Sequence, residues 1–112
     1  MGEDLALETV KSRGYEEIEK NYTCPLGEID LIAREGDTLV FLEIKTRRGR
    51  STGYAKEAVD ARKRRQLSRV ALFYMKENDC IGQKARFDVV AISVRAGDVE
   101  VEVIRNAFDL AY

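Results

Sequence analysis

From residue 28 to residue 45 the chain reads EIDLIAREGDTLVFLEIK, two apolar runs separated by a polar turn. Ile29–Ala33 and Leu39–Ile44 are the runs, and Arg34-Glu35-Gly36-Asp37 is the turn signal, so the stretch predicts a β-hairpin. A side-chain period of two puts Leu39, Phe41, Glu43 and Lys45 on one face of the second strand, and Val40, Leu42 and Ile44 on the other. Both faces open apolar, the mark of a strand covered on two sides. Glu43 then breaks the pattern with Lys45 beside it, and Asp30 breaks it in the first strand. A carboxylate in a half-buried strand is costly unless a cation or a metal compensates it. These interruptions are the chemically informative positions.

The remaining pattern supplies the frame. Leu5, Ala6, Thr9 and Val10 form a helical stripe over residues 2–13, with Glu3 and Asp4 at its start and Gly14 placed to end it. Residues 15–22 read as a strand anchored by Tyr15, Ile18 and Tyr22, and the only proline, Pro25, marks the loop after it. Residues 45–53 form a basic loop punctuated by Gly49 and Gly53. From about Ala55 to Asn78 the period becomes helical. Val59, Leu67, Val70, Ala71, Phe73 and Tyr74 share one arc; Arg62, Arg65, Arg69 and Lys76 share another, and Lys63 and Gln66 fall inside the apolar arc. Residues 86–94 and 99–104 are β-branched strands around an Ala96-Gly97-Asp98 turn, and 106–112 add a helical turn or tail. The order α-β-β-β-α-β-β predicts an α/β fold with a central mixed sheet flanked by helices.

At 112 residues the chain is of single-domain size, 1–112, and should bury roughly 60–70% of its unfolded surface. No apolar run approaches a membrane span, and the acidic start carries no secretion pattern, so a cytoplasmic protein without membrane contact is expected. The absence of histidine excludes Ser-His-Asp triads, Cys-His pairs and histidine-ligated metals. Cys24 and Cys80 are isolated and read as buried or idle thiols rather than zinc ligands. Chemistry must therefore rest on carboxylates, lysines, hydroxyls and oxygen-loving metals, with Mg²⁺ or Mn²⁺ the natural choice. The net charge of −1 conceals an asymmetry: residues 44–69 hold ten Lys/Arg against Glu57 and Asp60, a balance of +8 that leaves −9 elsewhere.

Asp30, followed thirteen residues later by Glu43-Ile44-Lys45, makes a D…ExK pattern. Two carboxylates and the Ile44 carbonyl suit a divalent ion that polarises a phosphodiester and acidifies bound water; Lys45, pointing the same way as Glu43, can orient that water. The spacing is also common by chance. The plainer reading makes Glu43 and Lys45 a charged strand end and Asp30 a solvated edge residue.

GEIDLIA at 27–33 and VFLEIKTR at 40–47 resemble the YraN-like family of small bacterial proteins, grouped with the restriction-endonuclease-like PD-(D/E)xK nucleases. The same resemblance covers Gly2-Glu3, Ala6, Gly14-Tyr15, Asn21-Tyr22, Gly53, Ala58-Val59, Arg86-Phe87-Asp88-Val89 and Asn106-Ala107-Phe108. It implies a restriction-endonuclease-like fold and Mg²⁺- or Mn²⁺-dependent hydrolysis of DNA. Archaeal Holliday-junction resolvases share that fold and add a helix glutamate eleven residues before a Gly-aromatic pair, a place held here by Glu3 ahead of Gly14-Tyr15. Likeness to them implies Glu3, Asp30 and Glu43 as metal ligands, Lys45 as the water-positioning group, branched DNA as substrate and a homodimer. Ile29 stands where the motif's proline would be. Glu28, two residues before Asp30, is either a supporting ligand or an ordinary strand residue.

The basic segment fits a nucleic-acid track: Arg47, Arg48 and Arg50 leave the ExK strand directly, and Arg62, Arg65 and Arg69 extend it along the helix. For Arg69 and Lys76 a solvated helix face is an equal alternative. Lys63 and Gln66 either approach the site or reach out of the core. Two rival functions remain: a non-catalytic nucleic-acid-binding module, and an interaction subunit of a DNA repair, recombination or uptake complex.

Overall fold

The computed structural model describes residues 2–48 and 59–109. The chain runs α1 (Gly2–Ser12), β1 (Glu16–Cys24), β2 (Gly27–Glu35), β3 (Thr38–Arg48), α2 (Ala61–Glu77), β4 (Ala85–Arg95) and β5 (Asp98–Phe108). The strands form one sheet in the order β1-β2-β3-β4-β5. β3 and β4 pair in parallel and the other neighbours antiparallel. This is the α/β mixed sheet with two helices expected from the sequence, in the expected order, and it is compatible with a nuclease-like fold.

The double-sided apolar pattern of β3 sorts into two cores. Leu39 and Phe41 pack with Leu67, Val70, Ala71 and Tyr74 of α2. Val40 and Leu42, with Ile44 at the margin, pack with Ala6 and Val10 of α1. The helices therefore cover opposite faces, and the strand between them is buried on both sides. Under α2 an aromatic row crosses the sheet: Tyr22 meets Tyr74 edge-on at 5.1 Å, Tyr74 meets Phe41 at 6.0 Å, Phe41 meets Phe87 at 5.5 Å, and Phe87 stacks on Phe108 at 4.7 Å.

Two boundaries and one anchor residue differ from the sequence expectation. The long helix starts at Ala61 rather than near Ala55, because the Asp60 carboxylate accepts the Lys63 N–H and caps it. Residues 55–58 of the expected helix, like Arg50 and Gly53, lie outside the described residues. Ile18 is no anchor: a bulge between Glu17 and Glu19 turns it outward, 41% exposed. The chain after Arg105 continues β5 to Phe108 instead of turning helical, through a bulge opposite Asp88 with Asn106 at φ +50°.

That bulge belongs to a buried polar network on the α1 side. Asp88 is fully buried and accepts hydrogen bonds from Tyr15 Oη (2.5 Å), Arg86 Nε (2.9 Å) and the Asn106 N–H (2.8 Å). Arg86 also donates to Glu35 at 2.7 Å, and Arg105 meets the same carboxylate at 2.6 Å. Burial and the Asp88 carboxylate push the Tyr15 phenol up to about 12, so at neutral pH it remains a donor. The network ties the entry to β1, the end of β2, and strands β4 and β5 into one unit.

α2 crosses the β1–β2 turn closely enough to require glycine there. Gly27 has φ +146°, and a Cβ on it would lie 2.9 Å from Gln66 Nε2 and 3.1 Å from Val70 Cγ2. Gly97 also has positive φ, +85°, but open space around it. In urea unfolding, Gly27→Ala should therefore cost about 2 to 3 kcal/mol and Gly97→Ala about 1. Asp88→Ala should cost about 3 kcal/mol by removing the acceptor shared by Tyr15, Arg86 and the Asn106 N–H and leaving a cavity, whereas Tyr15→Phe should cost about 1. Equal costs for that second pair would contradict a network centred on Asp88.

Candidate functional site

The alternation that organises the hairpin fails at Asp30. Ladder pairing between β2 and β3 runs from Glu35–Thr38 to Leu31–Leu42 and stops there. Ile29 packs into the α2-side core while Leu31, two residues on, packs into the α1-side core, so β2 rotates at Asp30. On β1, Asn21 sits between the pairs Lys20–Leu31 and Tyr22–Ile29 with φ +53°. Asparagine is among the side chains that best tolerate this conformation. Where the ladder ends, Asp30 Oδ2 accepts the Ile44 N–H at 2.8 Å. A side-chain carboxylate thus takes over a backbone acceptor's role and is held between the strands.

Glu43 lies beside it, 8% exposed. Burial first, and then the adjacent Asp30 charge, hold the Glu43 carboxyl up to about 7 against the pull of the Lys63 and Lys45 ammonium groups. A hydrogen bond between the two carboxyl groups acts in the same direction as burial. Asp30 and Glu43 are therefore brought together as a hydrogen-bonded carboxyl pair, with two lysines near it. Lys45 comes from the ExK strand. Lys63 comes from the first turn of α2, and of the two sequence readings for it the structure selects approach to the site.

Glu3 arrives from the other side. It lines a 360 Å³ cleft with Gly2, Asp4, Asp30, Ile44 and Thr46. A Cβ on Gly2 would come within 2.9 Å of Thr46 Oγ1, so glycine lets the start of α1 approach the end of β3. The Glu3 carboxylate accepts from Asn21 Nδ2 at 3.5 Å. Glu3 and Asp30 share a wall, yet among the described residues no three His, Cys, Asp or Glu side chains are grouped to hold a metal ion. Glu28 is exposed and accepts from Thr23 Oγ1 at 3.4 Å. Because β2 rotates at Asp30, Glu28 cannot be assigned to its face by counting back two residues.

Asp30 and Glu43 still fit an oxygen-loving divalent ion. Two carboxylates pressed together, one holding a proton that burial and like charge force on it, are a donor set that a divalent cation relieves. Mg²⁺ commonly takes one or two protein carboxylates and fills its other positions with water and phosphate oxygens. Ile44 lines the same cleft as Glu3 and Asp30.

The basic residues divide. Arg47 is half-buried near the end of β3; the side chain of Arg48 and all of Arg50 lie outside the described residues. Arg62, Arg65 and Arg69 do share one surface, lining a 330 Å³ recess with Leu26 and Gln66. Gln66 faces this recess rather than the carboxyl pair, its Nε2 3.5 Å from the Leu26 carbonyl. Nothing in the residue pattern marks Leu26, whose place follows only from docking α2 over the turn.

The raised Glu43 pKa has a defined sign. Unfolded, Glu43 ionises near its ordinary 4.5, whereas folded it holds its proton to about 7. Between those values the folded state binds more protons, so this group's contribution lowers stability as pH rises. Glu43→Gln should match the wild type at pH 4 and exceed it by about 2 kcal/mol at pH 8 in urea unfolding, after allowance for partial solvation. A gap independent of pH would remove Glu43 as the titrating group.

Comparison with known sequences agrees with the motif pattern. Residues 2–92 match the profile of "Uncharacterised protein family UPF0102". A UPF0102 protein of Syntrophus aciditrophicus is 43% identical over 112 residues, covering 100% of this chain and 88% of its own length. One from Geotalea uraniireducens is 45% identical, covering 99% and 88%, and one from Caldicellulosiruptor saccharolyticus is 42% identical, covering 96% and 92%. With a family profile across most of the chain and relatives alike along nearly all of it, the chain belongs to UPF0102, the YraN-like family.

Proposed function

We propose that this protein is a Mg²⁺- or Mn²⁺-dependent nuclease acting on DNA phosphodiesters. The observation that carries the reading is the Asp30–Glu43 carboxyl pair at the parting of β2 and β3, flanked by Lys45 and Lys63. Asp30 and Glu43 would hold the ion, which when bound supplies charge to polarise a phosphate and acidify water. The Ile44 N–H fixes the Asp30 carboxylate, so the pair keeps its geometry without reorganising during a reaction. Lys45 holds the attacking water and steadies the charge that builds on the phosphate oxygens. Lys63 approaches from α2 and balances the negative charge of the pair. Glu3, on the cleft wall with Asp30, is the reserve carboxylate of the resolvase-like set. Branched DNA as substrate and a homodimer rest on likeness to resolvases alone.

A second reading, a non-catalytic nucleic-acid-binding module, is favoured by one observation: the third acid does not join the pair among the described residues. Incubation with supercoiled, linear, single-stranded and branched DNA, with Mg²⁺, Mn²⁺ or EDTA, separates the two. The nuclease gives divalent-dependent cleavage that Glu43→Ala and Lys45→Ala each reduce at least 100-fold, with Glu3→Ala milder. The binding module gives salt-sensitive retention of DNA, unchanged by Glu43→Ala, and no product with any ion.

A further inference from the structure

The surface where α2 passes over the β1–β2 turn has two adjoining recesses. The first is the 330 Å³ recess lined by Arg62, Arg65, Arg69, Gln66 and Leu26. The second, 130 Å³, is lined by Leu26, Leu72 and Phe73, with Arg69 and Lys76 beside them. They share Leu26 and Arg69, so one is the continuation of the other. No acidic side chain lines either, and none of Arg62, Arg65, Arg69 or Lys76 is ion-paired among the described residues. Leu26 is 46% exposed at the β1–β2 turn, and Gln66 holds that turn against α2.

We propose that these recesses form a binding site for single-stranded DNA, with backbone phosphates over the arginines and one unpaired base lodged against Leu26, Leu72 and Phe73. The proposal takes its partner from the DNA-directed reading above and does not depend on hydrolysis. Three cations on one helix face, without acids among them, match a phosphodiester backbone. An apolar notch with an aromatic wall, set at the end of that row, matches the face of a base. A base inside a duplex is stacked and paired on its neighbours and cannot enter such a notch, so the pairing of a charged track with a one-ring recess selects an unpaired strand. The position suits the carboxyl pair: Gly27, under Gln66, is three residues along β2 from Asp30, roughly 10 Å at 3.3 Å per residue. A strand seated on the arginines would therefore pass within a nucleotide or two of Asp30.

The test is fluorescence anisotropy in EDTA with the full chain, using a labelled 12-nucleotide oligo-dT, a blunt duplex of equal length, and oligo-U as the RNA arm. The site predicts at least tenfold tighter binding of oligo-dT than of duplex. Arg62→Ala/Arg65→Ala/Arg69→Ala should weaken oligo-dT binding at least tenfold and flatten its salt slope by about 2. Leu26→Ser, an exposed change that leaves the core intact, should weaken oligo-dT about fivefold and leave duplex binding alone. Equal affinity for duplex, an equal effect of Leu26→Ser on both probes, or tighter binding of oligo-U would each overturn the assignment, as would a triple variant that binds like the wild type. Oligo-dT binding without cleavage by any divalent ion would overturn the hydrolytic reading and leave this one standing; cleavage without single-strand preference would do the reverse.

Discussion

The hydrogen bond from the Ile44 N–H to Asp30 Oδ2 is the constraint around which the site is built. A sheet interior leaves few backbone groups unpaired, because an orphaned N–H away from water costs about as much as a lost hydrogen bond. β2 leaves the ladder after Leu31, and the Asp30 carboxylate satisfies a donor that the strand no longer reaches. That places a carboxylate inside the sheet, and Glu43 beside it, pushed up first by its own burial and then by that charge, keeps its proton more readily. Each oddity of the region is a consequence of the previous one: the rotated strand, the side-chain acceptor, the raised carboxyl.

Burial on both faces makes this arrangement durable. β3 carries α2-side and α1-side cores on alternate residues, so Glu43 and Ile44 are set in depth by neighbours above and below. The aromatic row under α2 fixes the helix that delivers Lys63, and the Arg64 guanidinium lies 5.4 Å above the Phe108 ring near the helix start. On the other face, the Asp88 network fixes the chain where it leaves α1 and enters β1 through Tyr15. The interior charges of the α1 side are held by ion pairs and fixed donors, whereas the carboxyl pair has its mutual hydrogen bond and nearby ammonium groups.

Much of this was legible in the residue pattern, because the two periods, 2 for strands and 3.6 for helices, are properties of the backbone itself. The hairpin, both faces of β3, the place of Glu43 and Lys45, and the two helices follow from counting. Counting fails wherever the backbone departs from its period. Asn21 in the left-handed region and the rotation at Asp30 reassign Ile29 to the opposite core, and with it the argument for Glu28. The bulge at Asn106 carries β5 on to Phe108 because Asp88, on a different strand, binds its N–H. Lys63 and Gln66 looked alike on the helical wheel, yet one approaches the carboxyl pair and the other covers a turn. Which neighbour a side chain meets is a tertiary fact, and Glu3 on the cleft wall is the same kind of fact.

Asp30, Glu43 and Lys45 all belong to one hairpin closed by the two residues Gly36-Asp37, whereas the parallel partner of Leu39 is Ala85, far along the chain. Short closures lose less chain entropy than long ones, so the acids can meet while still in water, before β4 and α2 cover them. At that stage burial, the largest cause of the raised Glu43 pKa, is not yet in place. Covering the hairpin then strengthens the hold of Glu43 on a hydrogen ion, which writes the acidity of the medium into the assembly of the sheet.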